Sequence, residues 1–108
     1  MVTTEAEKPR IIEAIKAGAA QCWTLDVKAA RLLAGDRTPG FRSALQAKDL
    51  NIVLETASEY NVNIPSTALH AQLYNGMVAI GEGDLDNSAV ISMIEAMNGE
   101  KLETKGSK

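Results

Sequence analysis

The chain has 108 residues, a length that suits one domain able to bury a core without disulfide or metal staples. Apolar residues make up 45% and charged residues 23%, the balance of an ordinary water-exposed fold. A net charge of −3 with no Lys/Arg cluster removes the electrostatic reason to expect nucleic acid, and a single cysteine, Cys22, excludes an intrachain disulfide and a zinc ligand set.

The polar segment before Pro9 (residues 1–8) reads as a loose N-terminus with no signal-peptide pattern. Pro9 suits the first turn of a helix, and Ile11, Ile12, Ile15 and Ala19 follow at helical spacing. A second helix is expected over 25–34, carrying Val27, Leu32 and Leu33 inward and capped by Gly35. "GDRTPG" is a loop.

The longest helix is expected from near Phe41 to about Tyr60, with Leu45, Leu50, Val53, Leu54 and Ala57 inward. Asn61, Asn63 and Pro65 then favour turn geometry. Pro65 opens a fourth helix whose stripe is Leu69, Leu73, Met77 and Ile80, ending at Gly81. After the acidic loop "EGDLDN", a last helix over 88–97 points Val90, Ile91, Ile94 and Met97 inward, with Asp86 or Asn87 as N-cap. Asn98-Gly99 ends it, and residues 99–108 form a polar, fraying tail. No stretch alternates as a strand does, no run is apolar for long enough to span a membrane, and no internal repeat stands out. The fold class is therefore all-α, a bundle of about five helices.

Several features fit a site in part. "GEG" (Gly81–Gly83) has the start of a dinucleotide fingerprint but neither the third glycine nor a preceding strand. Asp84, Asp86, Ser88 and Glu95 have calcium-loop spacing, yet Ala89 occupies the sharp-turn glycine position and the flanking residues read as helix, so capping explains the acids better. His70 has no metal-ligand partners at helical spacing and reads as a surface or interface histidine. Cys22 has no basic neighbour in sequence to activate it and reads as buried. Lys48 and Asp49 interrupt the apolar pattern of the longest helix. On spacing alone they form its solvated face, the alternative being the edge of a cleft where a lysine meets an anionic ligand and an aspartate accepts from a hydroxyl.

The pieces "CWTLD" (Cys22–Asp26), "PGF" (Pro39–Phe41), "LQAKDL" (Leu45–Leu50), "IPSTALHAQLYNGM" (Ile64–Met77) and "GEGDLDNSAVI" (Gly81–Ile91) together resemble the C-terminal domain of the β-hydroxyacid dehydrogenase family. The family includes 3-hydroxyisobutyrate dehydrogenase and 2-hydroxy-3-oxopropionate (tartronate semialdehyde) reductase. The resemblance covers about Ile11 to Asn98 and implies a helical domain, 9–98, like the C-terminal domain of 6-phosphogluconate dehydrogenase. Family members add an N-terminal Rossmann domain and a long connecting helix, and transfer a hydride between NAD or NADP and a short β-hydroxyacid or its semialdehyde. This chain has no GxGxxG, no βαβ pattern and no Gly-rich catalytic-lysine segment. The resemblance therefore implies the C-terminal domain alone, inactive by itself and without bound cofactor.

By the same resemblance, Phe41 and Lys48 contact the cofactor and Asp49 lies near the substrate, with no catalytic residue and no metal ligand in this part. The family also implies a homo-oligomer, dimer or larger. The expected compartment is the cytoplasm, with neither nucleic acid nor membrane as partner. A self-standing helical association module is the alternative function, and an unrelated small-molecule-binding bundle is a third.

Overall fold

A computed structural model of the chain describes residues 4–102. Five α-helices follow in order: α1 (Glu7–Lys16), α2 (Trp23–Leu33), α3 (Ser43–Glu59), α4 (Pro65–Ala79) and α5 (Ile91–Asn98). A 3-10 turn, Asn87–Val90, leads into α5. No strand forms among the described residues; an isolated antiparallel bridge joins Arg42 and Asp86. The fold is all-α, as expected from the sequence. The chain divides into two compact units, residues 38–97 and the remaining residues on either side of them.

In the flanking unit α1 packs against α2. Glu7 in the first turn of α1 and Lys16 in its last suit the helix dipole. Lys16 also approaches Glu13 at 3.4 Å and Asp26 of α2 at 3.9 Å. Lys8 Nζ donates to the Lys101 carbonyl at 2.8 Å, tying the segment after α5 to α1. The remainder of the expected loose ends, residues 1–3 and 103–108, lies outside the described residues.

Ile11 and Ile15 are exposed and no residue of α1 is buried. One expectation fails in this unit: Cys22 is exposed, not buried. It occupies the N-cap position of α2 in extended backbone, outside the helix that packs. Lys28 is the buried surprise: its stem is covered while its Nζ stands 5.9 Å from the Trp23 ring, a cation–π distance.

The central unit, Thr38–Met97, is built on α3 against α4, with the 3-10 turn packed on both. Its deepest residues are mostly small: Ser43 and Ala47 of α3, Ala71 of α4 and Ala89 of the 3-10 turn, joined by Met77. Ser43 and Ala47 are one helical turn apart, so they present a low ridge and let the backbones approach. Gly76 extends this economy toward α5: a Cβ there would lie 2.7 Å from Met93 Cε.

This seam corrects the expected core. Val53 of α3 is exposed, as are Leu69 of α4, Ile80 just past its end, and Ile94 and Met97 of α5. Of the expected α4 stripe, Met77 is fully buried and Leu73 half-buried, while Leu69 and Ile80 are exposed, and the small Ala71, outside that stripe, is buried instead.

The helix ends follow their local chemistry. α2 closes in a Schellman motif, with Gly35 at φ 76°, its N–H on the Leu32 carbonyl and the Asp36 N–H on the Arg31 carbonyl. α3 ends in the same motif at Asn61, φ 56°, where Val62 donates to the Ala57 carbonyl. Pro65 opens α4 as its first residue.

Candidate functional site

The start of α3 has no side-chain cap of its own. Its first amides are met by the loop that follows α4: Ser43 N–H donates to the Leu85 carbonyl and Ala44 N–H to the Gly83 carbonyl, both at 2.8 Å. Gly83 sits close under the helix, and a Cβ on it would lie 3.3 Å from Ala44 Cβ. "GEGDLDN" is thus a capping loop for a distant helix.

Asp86 completes that cap. It is 1% exposed and carries at least four donors on its two oxygens. Oδ1 accepts from Gly40 N–H at 2.8 Å and from Phe41 N–H at 3.1 Å. Oδ2 accepts from Ser88 N–H at 3.2 Å and from the Ser88 hydroxyl. The Asp86 carbonyl accepts from the Ser43 hydroxyl at 3.0 Å, and Asn87 N–H donates to the Phe41 carbonyl at 2.7 Å. The expected N-cap role of Asp86 holds for the 3-10 turn. Its grip on Gly40 and Phe41, 46 and 45 residues away, leaves no mark in the sequence; an aspartate two residues before a serine signals only a local turn.

Tyr74 of α4 donates its hydroxyl to the Asn87 carbonyl at 2.9 Å, and Asn87 Nδ2 donates to Gln46 Oε1 at 3.0 Å. Burial, and secondarily the Asp86 charge, push the Tyr74 phenol above its ordinary 10.0.

Of the residues the sequence singled out, Phe41 is held by this clamp and Lys48 and Asp49 lie further along α3. Phe41 is held by both backbone groups while the residue as a whole is 38% exposed. Lys48 and Asp49 lie on α3, with Lys48 Nζ 3.4 Å from Asp49 Oδ1 and side chains 60% and 51% exposed. This is a surface ion pair between neighbours, weak enough to be exchanged for contacts with an incoming ligand. An exposed ring, an ammonium and a carboxylate can meet a planar group, an anion and a hydroxyl respectively.

The remaining candidates resolve into structure. His70 is exposed, its Nδ1 2.7 Å from the Ser66 carbonyl one turn earlier. Asp84 pairs with Arg42 at 3.2 Å on the surface, and Glu95 is buried in α5. Among the described residues no three His, Cys, Asp or Glu side chains gather as metal ligands. Among the same residues no helix is long and apolar enough to cross a membrane.

Comparison with known proteins gives this arrangement its kin. Residues 3–94 match the family model described as "NAD-binding of NADP-dependent 3-hydroxyisobutyrate dehydrogenase". The chain is 36% identical over 97 residues to 2-hydroxy-3-oxopropionate reductase of Escherichia coli, covering 90% of this chain and 33% of that protein. It is 35% identical over 98 residues to a probable 3-hydroxyisobutyrate dehydrogenase-like 1 protein, mitochondrial, of Arabidopsis thaliana, covering 91% of this chain and 29% of the relative. A 68-residue match at 44% identity links it to 2-(hydroxymethyl)glutarate dehydrogenase of Eubacterium barkeri, covering 63% of this chain and 23% of the relative. The chain thus spans a third or less of the length of these curated relatives. The crystal structure of 3-hydroxyisobutyrate dehydrogenase from Salmonella typhimurium superposes with a TM-score of 0.74 at 23% identity, over 80% of this chain and 30% of that one, a likeness of fold. With its model matched across nearly the whole chain, the protein belongs to the 3-hydroxyisobutyrate dehydrogenase family of NAD(P)-binding oxidoreductases.

Proposed function

We propose that this chain is the helical C-terminal domain of an NAD(P)-dependent oxidoreductase acting on a short β-hydroxyacid or its semialdehyde, and that it closes over cofactor and substrate supplied with a Rossmann half. The observation that carries this is the pairing of a family match over residues 3–94 with three exposed residues of suitable chemistry on and before α3. Phe41 offers a ring face to the nicotinamide end, Lys48 a cation to the anionic cofactor, and Asp49 an acceptor to a substrate hydroxyl. The nicotinamide cofactor supplies or takes the hydride when bound. This chain holds neither the phosphate turn nor a general acid, so its residues bind and orient. The family names favour 2-hydroxy-3-oxopropionate or 3-hydroxyisobutyrate as the substrate class. The cytoplasm is the expected compartment.

The test is turnover. The 108-residue chain should not accelerate NADPH or NADH oxidation with tartronate semialdehyde. Joined to a dinucleotide-binding half from a reductase of this family, it should do so, and Lys48→Ala should raise the cofactor KM by about tenfold, the loss of one charge-assisted contact. Activity of the chain alone would defeat the proposed division of labour. So would unchanged kinetics in the lysine variant.

A second reading has its own observation. Leu69 of α4 and Ile80 just past its end are 60% and 57% exposed and Met97 of α5 is 67% exposed, apolar surface of the kind that favours association. On this reading the chain forms a homodimer or larger species through its helical faces, with or without an enzymatic role. Light scattering at high concentration should give a mass above one chain; a strictly monomeric mass removes this reading.

A further inference from the structure

We infer that Asp86 is a positioning residue of the site: its buried carboxylate fixes the Gly40–Phe41 turn, and through it the place of the Phe41 ring and the start of α3. This rests on the proposed cofactor role of Phe41. It goes beyond that reading by assigning a residue that touches neither ligand.

The geometry is specific to a carboxylate. At least four donors converge on two oxygens, among them the Gly40 and Phe41 amides on Oδ1 and the Ser88 amide and hydroxyl on Oδ2. A group with acceptors at both ends and no donor meets this demand, and an ionised aspartate is such a group. An asparagine would present an NH2 to the Ser88 amide or to the two turn amides, so one side of the clamp must open. The turn needs the clamp because Gly40 and Phe41 precede α3, and their amides lie outside its internal hydrogen bonding. The grip on Phe41 is two-sided: its amide goes to Asp86 and its carbonyl to the neighbouring Asn87 amide. The backbone of Phe41 is thereby fixed while the residue remains 38% exposed. A ring held at its root and free at its face is suited to meet a flat ligand in one place.

The clamp also explains why the loop between α4 and the 3-10 turn is acidic without being a cation site. The Asp86 oxygens are committed to amides and a hydroxyl. The charge falls on the amide ends of a turn and of a helix, where partial positive charge gathers.

The experiment has two arms. In the chain itself, Asp86→Asn should speed amide hydrogen exchange at Gly40 and Phe41 by about tenfold or more, the consequence of opening a buried charged hydrogen bond. Ala71→Gly, which loosens the interior of α4, serves as the stability-matched control. It should raise exchange across the central unit without singling out these two amides. In the fusion with a dinucleotide-binding half, Asp86→Asn should raise the cofactor KM by about tenfold while Ala71→Gly leaves KM unchanged, since a misplaced ring costs binding where a lowered folded fraction costs only apparent kcat. The inference is overturned if Gly40 and Phe41 exchange no faster in Asp86→Asn than in the control. It is equally overturned if the fusion is active and the two variants show the same KM. Should the unsubstituted fusion be inactive, the proposed function fails while the exchange arm still decides whether Asp86 fixes the turn.

Discussion

Oδ1 of Asp86 accepts the backbone N–H of Phe41 at 3.1 Å, joining the residue before the 3-10 turn to the aromatic that precedes α3, 45 positions earlier. Around this bond lie the Gly40 amide, the Ser43 hydroxyl and the carbonyls of Gly83 and Leu85. The loop and the helix start are one structural object, and the exposed candidate residues are carried on it.

The cost of breaking that object should be out of proportion to the size of the change. Asp86→Ala strands several buried donors at once, each worth about 1–3 kcal/mol. The loss of stability should therefore be at least ~2 kcal/mol in urea unfolding of the chain. Asp84→Ala, two residues earlier, removes only a surface bond to Arg42, and surface changes stay within about 0.5 kcal/mol. Equal effects of the two substitutions would show that burial of the carboxylate is not what matters.

Tyr74 gives the fold an alkaline limit. Its phenol ionises above the ordinary value of 10.0, so in that range the folded chain holds a proton that the unfolded chain releases. The associated stability is fully present below about pH 10 and is lost as pH climbs through the raised folded value. Tyr74→Phe removes this titration together with the hydrogen bond to the Asn87 carbonyl. The variant should be less stable at neutral pH by about 1 kcal/mol. Above pH 10 its unfolding free energy should fall less steeply than that of the unsubstituted chain. Parallel pH profiles would contradict the assignment.

Gly76 tests how tightly α4 meets α5. An added Cβ would stand 2.7 Å from Met93 Cε, which is the mobile end of a flexible side chain. Alanine gains about 1 kcal/mol of helix propensity over glycine. Gly76→Ala should then leave stability within about 1 kcal/mol of the original, with the Met93 methyl displaced. Gly76→Val carries branches that the thioether cannot clear by swinging aside, and it should destabilise by about 1–3 kcal/mol, the ordinary cost of overpacking. Thermal melts of the two variants decide the matter.

The helices were legible because proline, glycine and asparagine punctuate them. Pro65 begins α4, and Gly35, Asn61 and Gly81 close their helices in left-handed backbone. These are local rules, and local rules read well from sequence. Burial was read less well. The large residues Val53, Leu69 and Ile80 carry the helical period yet lie exposed, and Ser43, Ala47 and Ala71 form the seam. Periodicity finds an apolar face, but which arc meets a neighbour depends on how closely two backbones approach, and small residues set that. Phe41, Lys48 and Asp49 are candidates only through resemblance to a family, since nothing in their spacing separates a site from a solvated face. Asp86 was legible only as a local cap because its other partners are more than forty residues away.

The distance between the two ends of the clamp has a consequence for how the chain is made. α3 leaves the ribosome before the residues that satisfy its first amides: Gly83, Leu85 and Asp86 follow a whole further helix. Until they emerge, the turn at Gly40–Phe41 has no anchor, and the opening residues of α3 fray. The nascent chain must therefore close a loop of more than forty residues before the Phe41 turn is set, a non-local step that follows the synthesis of α3 and α4 and is slow relative to the formation of the helices themselves.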